Sequence, residues 1–379
     1  MPEHCGGDRW SILHGDSLQI IRQFVPNSFD AIITDPPYAS GGSSQTTKNR
    51  STNEKYSSMS KEKALPDFDS DQMDQLSWMF WTAAWLQDAR RIAKPGAPVC
   101  LFIDWRQLPA MTLALQWAGW TWRGVAVWDK VASRPQKGRF RQQSEYIVWG
   151  SNGKMPLERN VGCLPGVFRY PNPQNRIHVT EKPLQLMKDV IQICEPGGRI
   201  LDPFAGSGTT AHAVLNMNKA DGGHRKFILV EMMDYADSIT AERVKRVIRG
   251  YGEGKNAVEG TGGNFSFYDL GEPLLVGDCL NEAVAPEKIR EYIWFMETKQ
   301  PYAPPSGGNP YYLGKHNNTG YYFYYEPQRV TVLDYAFLST ITEKADGTVI
   351  YADRCSISED KLAKMGVTFK KIPRDISRL

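Results

Sequence analysis

Residues 200–231 place the strongest constraint on the fold. The apolar strand that ends in Asp202 enters a glycine-rich turn, a helix is predicted over residues 210–218, and a second apolar strand at residues 226–231 ends in an acid. A helix between two strands returns the chain to the same end of the sheet, so the two strands pair in parallel. The segment therefore predicts an α/β fold with a mostly parallel sheet and helices on both faces.

The glycine turn is also a candidate ligand site. Gly206 and Gly208 lack the β-carbons that would block a ligand, and the amides at the start of the following helix can face an anion. In dinucleotide-binding folds an acid in the position of Glu231 binds ribose hydroxyls. An ordinary tight corner between a strand and a helix fits the same residues. The turn therefore indicates a ligand site only in combination with a second motif.

The second motif, Asp35-Pro36-Pro37-Tyr38, follows an apolar run at residues 31–33. An amine on an aromatic ring is a poor nucleophile, because its lone pair is delocalised into the ring. The Asp35 carboxylate and the Pro36 carbonyl are two acceptors for its N–H bonds, and Pro37 restricts the backbone before it. Tyr38 is predicted to stack on the flat ring. The alternative is a strand that stops because prolines cannot continue a ladder.

Together with residues 178–183, the two motifs resemble those of the beta-group DNA amino-methyltransferases, and the front half is similar to prophage-type adenine methylases. In that family the catalytic motif precedes the S-adenosylmethionine motif, as it does here, and a target-recognition region separates them. The likeness covers residues 8–250 and implies a Rossmann-like, S-adenosylmethionine-dependent methyltransferase fold.

The resemblance implies methyl transfer to the exocyclic 6-amino group of adenine in double-stranded DNA, with the base flipped out of the duplex. In the family, Asp at the first catalytic position usually accompanies adenine, and Ser usually accompanies cytosine. Asp35 therefore favours adenine. A cytosine 4-amino methyltransferase and a catalytically inactive module that binds DNA or a partner remain as alternatives.

Site residues follow from the same resemblance. The catalytic residues are Asp35, Pro36, Pro37 and Tyr38. Glu231 takes the ribose, Asp16 lies near the adenine ring of the cofactor, and Thr180 and Lys182 hold its methionine carboxylate. For Asp16, a cap on the helix that begins near residue 17 is an equal alternative. The full predicted cofactor set is Asp16, Thr180, Lys182, Asp202, Phe204, Ala205, Gly206, Ser207, Gly208 and Glu231.

A basic loop at residues 134–141 is the predicted contact with DNA phosphates. It follows Trp128, which fits either the far wall of the base pocket or core packing. A polar stretch at residues 40–63 is expected to close over the target base. The target-recognition region, at about residues 150–177, is short, so a homodimer is a hypothesis that would supply more recognition surface. In the basic loop at 134–141, the residues predicted to contact DNA are Arg134, Lys137, Arg139 and Arg141.

The net charge is only +3, so a DNA-binding surface must come from local clustering of basic residues. The six cysteines show no Cys-x-x-Cys spacing, which argues against a zinc site and fits reduced thiols in the cytoplasm. No apolar segment reaches the length of a membrane span, and the first residues show no signal-peptide pattern. A cytoplasmic protein without membrane association is therefore expected.

Glycines that cluster after Arg249 predict a domain boundary. The predicted division is a catalytic domain at 1–250, a linker at 251–264 and a small C-terminal α/β domain at 265–379. The last of these is similar to the C-terminal part of type III restriction-modification methylase subunits. Those subunits carry a long recognition region between their motifs, which this chain lacks. The difference argues against a helicase-nuclease partner and a similar mode of recognition, while a restriction-modification partner subunit is kept as a prediction.

Overall fold

A computed structural model describes residues 10–39, 73–131, 137–173, 181–305 and 308–374. The chain divides into two compact units, Met1–Leu270 and Gly271–Leu379. The predictions for Arg134, for Thr180 and for the polar stretch at 40–63 lie outside the described residues.

The first unit is built on a nine-stranded sheet with the order β11-β1-β8-β7-β2-β3-β5-β4-β6. All neighbouring strands are parallel except at β5, which runs antiparallel to β3 and β4. A separate antiparallel pair consists of β9 and β10. The strands are β1 (Trp10–His14), β2 (Ala31–Thr34), β3 (Pro98–Ile103), β4 (Thr121–Asp129), β5 (Ser144–Ser151), β6 (Val167–Arg169), β7 (Arg199–Asp202), β8 (Lys226–Glu231), β9 (Gly250–Tyr251), β10 (Val258–Glu259) and β11 (Phe265–Tyr268).

Helices cover both faces of this sheet. Buried residues of α1, α2 and α3 pack in one apolar cluster, and those of α4, α5 and α6 pack in another. The predicted α/β fold with a mostly parallel sheet is confirmed. The helices are α1 (Ser17–Gln23), α2 (Gln75–Ile92), α3 (Leu108–Trp117), α4 (Leu184–Ile191), α5 (Thr209–Asp221) and α6 (Glu242–Arg249), with a π-helical segment at Ala236–Ala241 before α6.

The longest of these helices, α2, shows why the sequence folds in this way. The Asp74 carboxylate caps it by accepting from the amides of Leu76 and Ser77, each at 3.0 Å. Trp78 and Trp85 are fully buried against the sheet, as expected of core residues. The central strands β2 and β3 are buried along their whole length, since helices cover both of their faces. Because β2, β7 and β8 are neighbouring parallel strands, their carboxyl ends lie side by side at the same edge of the sheet.

The second unit is a small α/β structure, as predicted. Its four-stranded sheet has the order β14-β15-β17-β19, in which only β14 is antiparallel to its neighbour. Two further pairs are β12 with β13 and β16 with β18. The elements are β12 (Leu275–Val276), β13 (Cys279–Leu280), α7 (Pro286–Thr298), β14 (Tyr312–His316), β15 (Thr319–Phe323), β16 (Val332–Leu333), α8 (Tyr335–Ser339), β17 (Gly347–Ala352), β18 (Arg354–Cys355), α9 (Glu359–Lys364) and β19 (Val367–Lys371).

The boundary between the units lies later in the chain than the sequence predicted. Residues of β11 pair in parallel with β1, so the stretch predicted to open the C-terminal domain extends the first sheet instead. The glycine-rich segment at 251–264 belongs to the first unit. A β-carbon on Gly260 would lie 2.3 Å from the Ile248 carbonyl oxygen. At that position glycine permits close backbone packing, and the segment is not a linker between units.

None of the described helices has the length and apolar character that a membrane span requires.

Candidate active site

A cavity of about 520 Å³ opens where β2, β7 and β8 end, which is within the usual size range of a small-molecule site. The catalytic motif and most of the predicted cofactor residues line it together, although the two motifs are far apart in the chain. The predicted residues that line the cavity are Asp16, Asp35, Pro36, Pro37, Tyr38, Lys182, Asp202, Phe204, Ala205, Gly206, Ser207 and Glu231.

Asp35 is held by two donors. The Tyr38 hydroxyl donates to Oδ1 at 2.5 Å, and the Lys182 ammonium contacts Oδ2 at 2.5 Å. The indole of Trp78 donates to the Pro37 carbonyl at 2.7 Å, which fixes the backbone of the motif against α2. The carboxylate is thus held in one orientation at the floor of the cavity.

Glu145, at the start of β5, extends this ion pair into a chain of alternating charges. Lys182 Nζ lies 3.6 Å from Glu145 Oε2, and Lys130 Nζ lies 2.5 Å from Glu145 Oε1. Burial raises the pKa of Asp35, an effect that Lys182 opposes. Burial acts on Lys182 in the opposite direction, but the Asp35 and Glu145 carboxylates outweigh it and raise the pKa of the ammonium. Lys182 therefore stays protonated.

The position of Lys182 is a finding that the sequence did not indicate. Its side chain is only 6% exposed, and its ammonium contacts Asp35, whereas the expected partner was the methionine carboxylate of the cofactor. The rings of Tyr38, Phe102 and Trp128 surround Nζ, with centroids at 5.3, 5.5 and 6.0 Å. The predicted contact with the cofactor stays a prediction.

Asp202 ties the ends of β2 and β7 together. Its two oxygens accept from the hydroxyls of Thr34 and Thr210, each at 2.6 Å. The amide of Phe204 also donates to it at 3.2 Å. Burial raises the pKa of Asp202 to about 6, because neutral hydroxyls stabilise a carboxylate less than a cation does.

Glu231 closes the other side of the glycine turn. Its oxygens accept from the amides of Gly206 at 2.7 Å and Met233 at 3.0 Å. Gly206 has a φ of 51°, a left-handed conformation that favours glycine. Burial raises the pKa of Glu231 to about 7. A carboxylate in this position is ready to accept from hydroxyl donors in the cavity.

Gly208 is not among the residues that line the cavity. A β-carbon there would lie 3.2 Å from the carbonyl oxygen of Thr240, in the π-helical segment. Ser207 does line the cavity, but its hydroxyl also accepts from Arg243 at 3.0 Å. The second half of the turn is thus braced against the segment before α6.

Both alternatives for Asp16 are compatible with the structure. Its carboxylate accepts from the Leu18 amide at 2.9 Å and caps α1, while the residue also lines the cavity. Trp128 is 1% exposed and donates to the Tyr170 carbonyl at 2.8 Å, as expected of core packing. One side of Trp128 still lines the cavity.

Four residues that were not predicted to belong to the site also line the cavity: Trp81, Lys130, Glu145 and Tyr235. Trp81 lies next to Phe204, with ring centroids 5.5 Å apart, and together they form an aromatic wall. The signal for Glu145 was its place at the start of a strand, but only the pairing of β5 with β3, which lies beside β2, brings it to the cavity.

The described part of the basic loop is exposed to solvent. Lys137, Arg139 and Arg141 lie between β4 and β5. Gln142 and Ser144, which follow them directly, line the cavity. The described part of the loop therefore ends next to residues of the cavity, which is compatible with the predicted phosphate contacts.

Comparison with known proteins identifies the family of this chain. Residues 29–242 match the sequence model of a family described as DNA methylases. This chain belongs to the DNA methylase family. The match includes both the catalytic motif and the glycine turn, and it stops before the second unit.

Two curated relatives are similar over most of their own lengths. The putative methylase YubD of Escherichia coli strain K12 is 25% identical over 244 residues, which cover 64% of this chain and 93% of the relative. The type II methyltransferase M2.MboI of Moraxella bovis is 24% identical over 223 residues, or 54% of this chain and 78% of that protein. Among solved structures, a putative DNA modification methylase of Thermus thermophilus, complexed with S-adenosyl-L-methionine, is 16% identical and covers 69% of this chain and 100% of its own, with a TM-score of 0.45.

Proposed function

We propose that this DNA methylase transfers a methyl group from S-adenosylmethionine to the exocyclic 6-amino group of adenine in double-stranded DNA. The observation that carries the proposal is that Asp35 and Glu231 line one cavity. An amine-activating carboxylate and a ribose-binding carboxylate in a single cavity would bring the target base next to the cofactor.

The residues of the cavity fit S-adenosylmethionine. The buried Glu231 carboxylate can accept from both ribose hydroxyls, and the aromatic wall of Trp81 and Phe204 can pack against an adenine ring. The left-handed Gly206 lets a ligand approach the backbone of the turn closely. When bound, the cofactor would supply an electrophilic methyl group.

The chain's own residues would orient the target amine. The Asp35 carboxylate and the Pro36 carbonyl accept its two N–H bonds and turn its lone pair toward the cofactor. Tyr38 would face the flipped base with its ring while its hydroxyl holds Asp35. The choice of adenine rests on Asp at position 35, since the family includes enzymes of adenine-N6 and cytosine-N4 type.

Double-stranded DNA would be held by Lys137, Arg139 and Arg141 beside the opening, with Arg134 as a further predicted contact. A homodimer, a restriction-modification partner subunit and a likeness of the second unit to type III subunits remain proposals. Light scattering with and without DNA tests the homodimer, and a monomeric mass in both conditions would exclude it.

The test of the function is direct. The purified chain is incubated with labelled S-adenosylmethionine and unmethylated genomic DNA, the DNA is digested, and the nucleosides are analysed by mass spectrometry. Label in N6-methyldeoxyadenosine is the expected result. Label in N4-methyldeoxycytidine would move the target to cytosine, and cofactor binding without any label would leave an inactive module.

A further inference from the structure

The ammonium of Lys182 lies where an amine must sit in order to use Asp35. It is 2.5 Å from Oδ2, and the Tyr38 hydroxyl occupies Oδ1 at the same distance. Each oxygen of the carboxylate already has one donor and can accept a second, and the Lys182 ammonium fills one of the positions from which an incoming amine would donate. The protonated Lys182 is the donor that most resembles the substrate group.

The surroundings of this ammonium are built for positive charge. Three aromatic rings lie within 6.0 Å of Nζ, and the carboxylates of Asp35 and Glu145 face it. A target amine gains positive charge as it is alkylated, so the same surroundings would favour that charge. Lys182 thus occupies a position whose surroundings suit the reacting nitrogen.

We propose that Lys182 is a positioning residue that occupies the amine site of Asp35 while no base is bound, and that it shifts to Glu145 when the target amine arrives. This inference rests on the proposed function, because it requires an amine substrate. Glu145 Oε2 is already 3.6 Å from Nζ, and Lys130 holds the other Glu145 oxygen in place. The shift would leave no buried charge without a partner.

Lys182 would also keep Asp35 ionised. Burial raises the pKa of Asp35, Lys182 opposes it, and Glu145 adds to it. Tyr38 donates to the same carboxylate, and the Asp202 carboxylate lies close enough for the two charges to repel. Removing the ammonium should therefore raise the pKa of Asp35 further. The acidic limb of the pH–rate profile, where the transfer rate falls as Asp35 becomes protonated, would then move to higher pH.

The test compares Lys182→Met and Lys182→Arg with a matched control, Lys188→Met, on α4 and outside this cavity. Calorimetry measures the Kd for S-adenosylhomocysteine, which carries the same methionine carboxylate as the cofactor. Single-turnover transfer to DNA is measured as a function of pH. Lys182→Met should keep its Kd within about threefold, because the ion pair is to Asp35, while its acidic limb rises by about one unit or more. In Lys182→Arg, the acidic limb of methyl transfer should stay at the same pH as in the wild type.

A tenfold or larger loss of affinity for S-adenosylhomocysteine in Lys182→Met would assign the ammonium to the methionine carboxylate and overturn the proposal. So would an unchanged acidic limb. If Lys182→Met transfers nothing but binds the ligand, activity in Lys182→Arg supports the proposal, and inactivity in both overturns it. If the wild type methylates no DNA, the proposed function fails, and the binding measurement alone decides whether Lys182 contacts the cofactor.

Discussion

Two aspartates at the ends of neighbouring parallel strands differ in their partners. Asp35 follows β2 and faces the Lys182 ammonium, whereas Asp202 ends β7 and accepts from the hydroxyls of Thr34 and Thr210. Burial raises the pKa of both carboxyls. Only Asp35 has a cation that opposes this effect at close range.

The difference shows how one residue type serves two purposes at one edge of a sheet. Neutral hydroxyl donors tie Asp202 into the framework and tolerate its protonation near pH 6. An ammonium keeps Asp35 charged, which suits a group that must attract an amine. Both aspartates lie at the same end of the sheet, so their different hydrogen-bond and ion-pair partners account for their different roles.

The largest expected effect is at the charged member of this pair. Asp35→Ala should lower methyl transfer by about 10³-fold, since it removes the acceptor that orients the amine. Affinity for S-adenosylhomocysteine should stay near that of the wild type, as measured by calorimetry. Substantial transfer by the variant would remove Asp35 from the mechanism and erase the contrast with Asp202.

The next largest effect is expected at Glu231, the third carboxylate at this edge of the sheet. Glu231→Gln should weaken binding of S-adenosylhomocysteine by about 10- to 100-fold, as expected for lost hydrogen bonds to a charged group. Burial raises the pKa of Glu231 to about 7, so wild-type affinity should fall as the pH drops below that value. Calorimetry between pH 6 and pH 8 checks this, and the glutamine variant should lose the dependence.

Asp202→Ala should act mainly on stability. It leaves the Thr34 and Thr210 hydroxyls without their acceptor, which should lower the free energy of unfolding by about 1–3 kcal/mol. Urea denaturation followed by circular dichroism measures the change. Asp202→Asn, which keeps one acceptor oxygen, is the control and should lose less. Equal losses in both variants would mean that the charge matters more than the hydrogen bonds.

The pH dependence of this contribution has a defined sign. The pKa of Asp202 is about 6 in the folded chain against 3.8 as the ordinary value, so the folded state holds the proton more tightly. Wild-type stability should therefore decline as the pH rises from about 4 to 6, and Asp202→Asn should lack this component. A component of opposite sign would show that the hydroxyl donors outweigh burial.

The smallest effects are expected for the basic loop, which lies apart from the two aspartates compared above. Arg139→Ala and Arg141→Ala should each reduce the slope of log affinity against log salt by about 0.9 for duplex DNA. Fluorescence anisotropy in a salt series measures the slope. Arg249→Ala, at an exposed arginine that ends α6, is the matched control and should leave it unchanged.

Much of the fold was already determined by the sequence. Apolar strands that alternate with helices predicted the parallel sheet, and β8 runs from Lys226 to Glu231 as predicted. The positions of Asp35 and Glu231 at strand ends followed from the same local pattern. The glycines after Arg249 did not reveal the domain boundary, because composition indicates tight turns but not whether the next strand joins an existing sheet.

The sequence by itself determined the type of sheet, the family motifs and the acids at the strand ends, since each depends on residues close together in the chain. Only the tertiary structure decided which partner each acid receives. Lys182 and Asp35 are 147 positions apart, and Glu145 reaches Lys182 because β5 pairs with β3, which lies beside β2. Ion pairs of this kind depend on the order of strands in the sheet, which no local pattern of residues specifies.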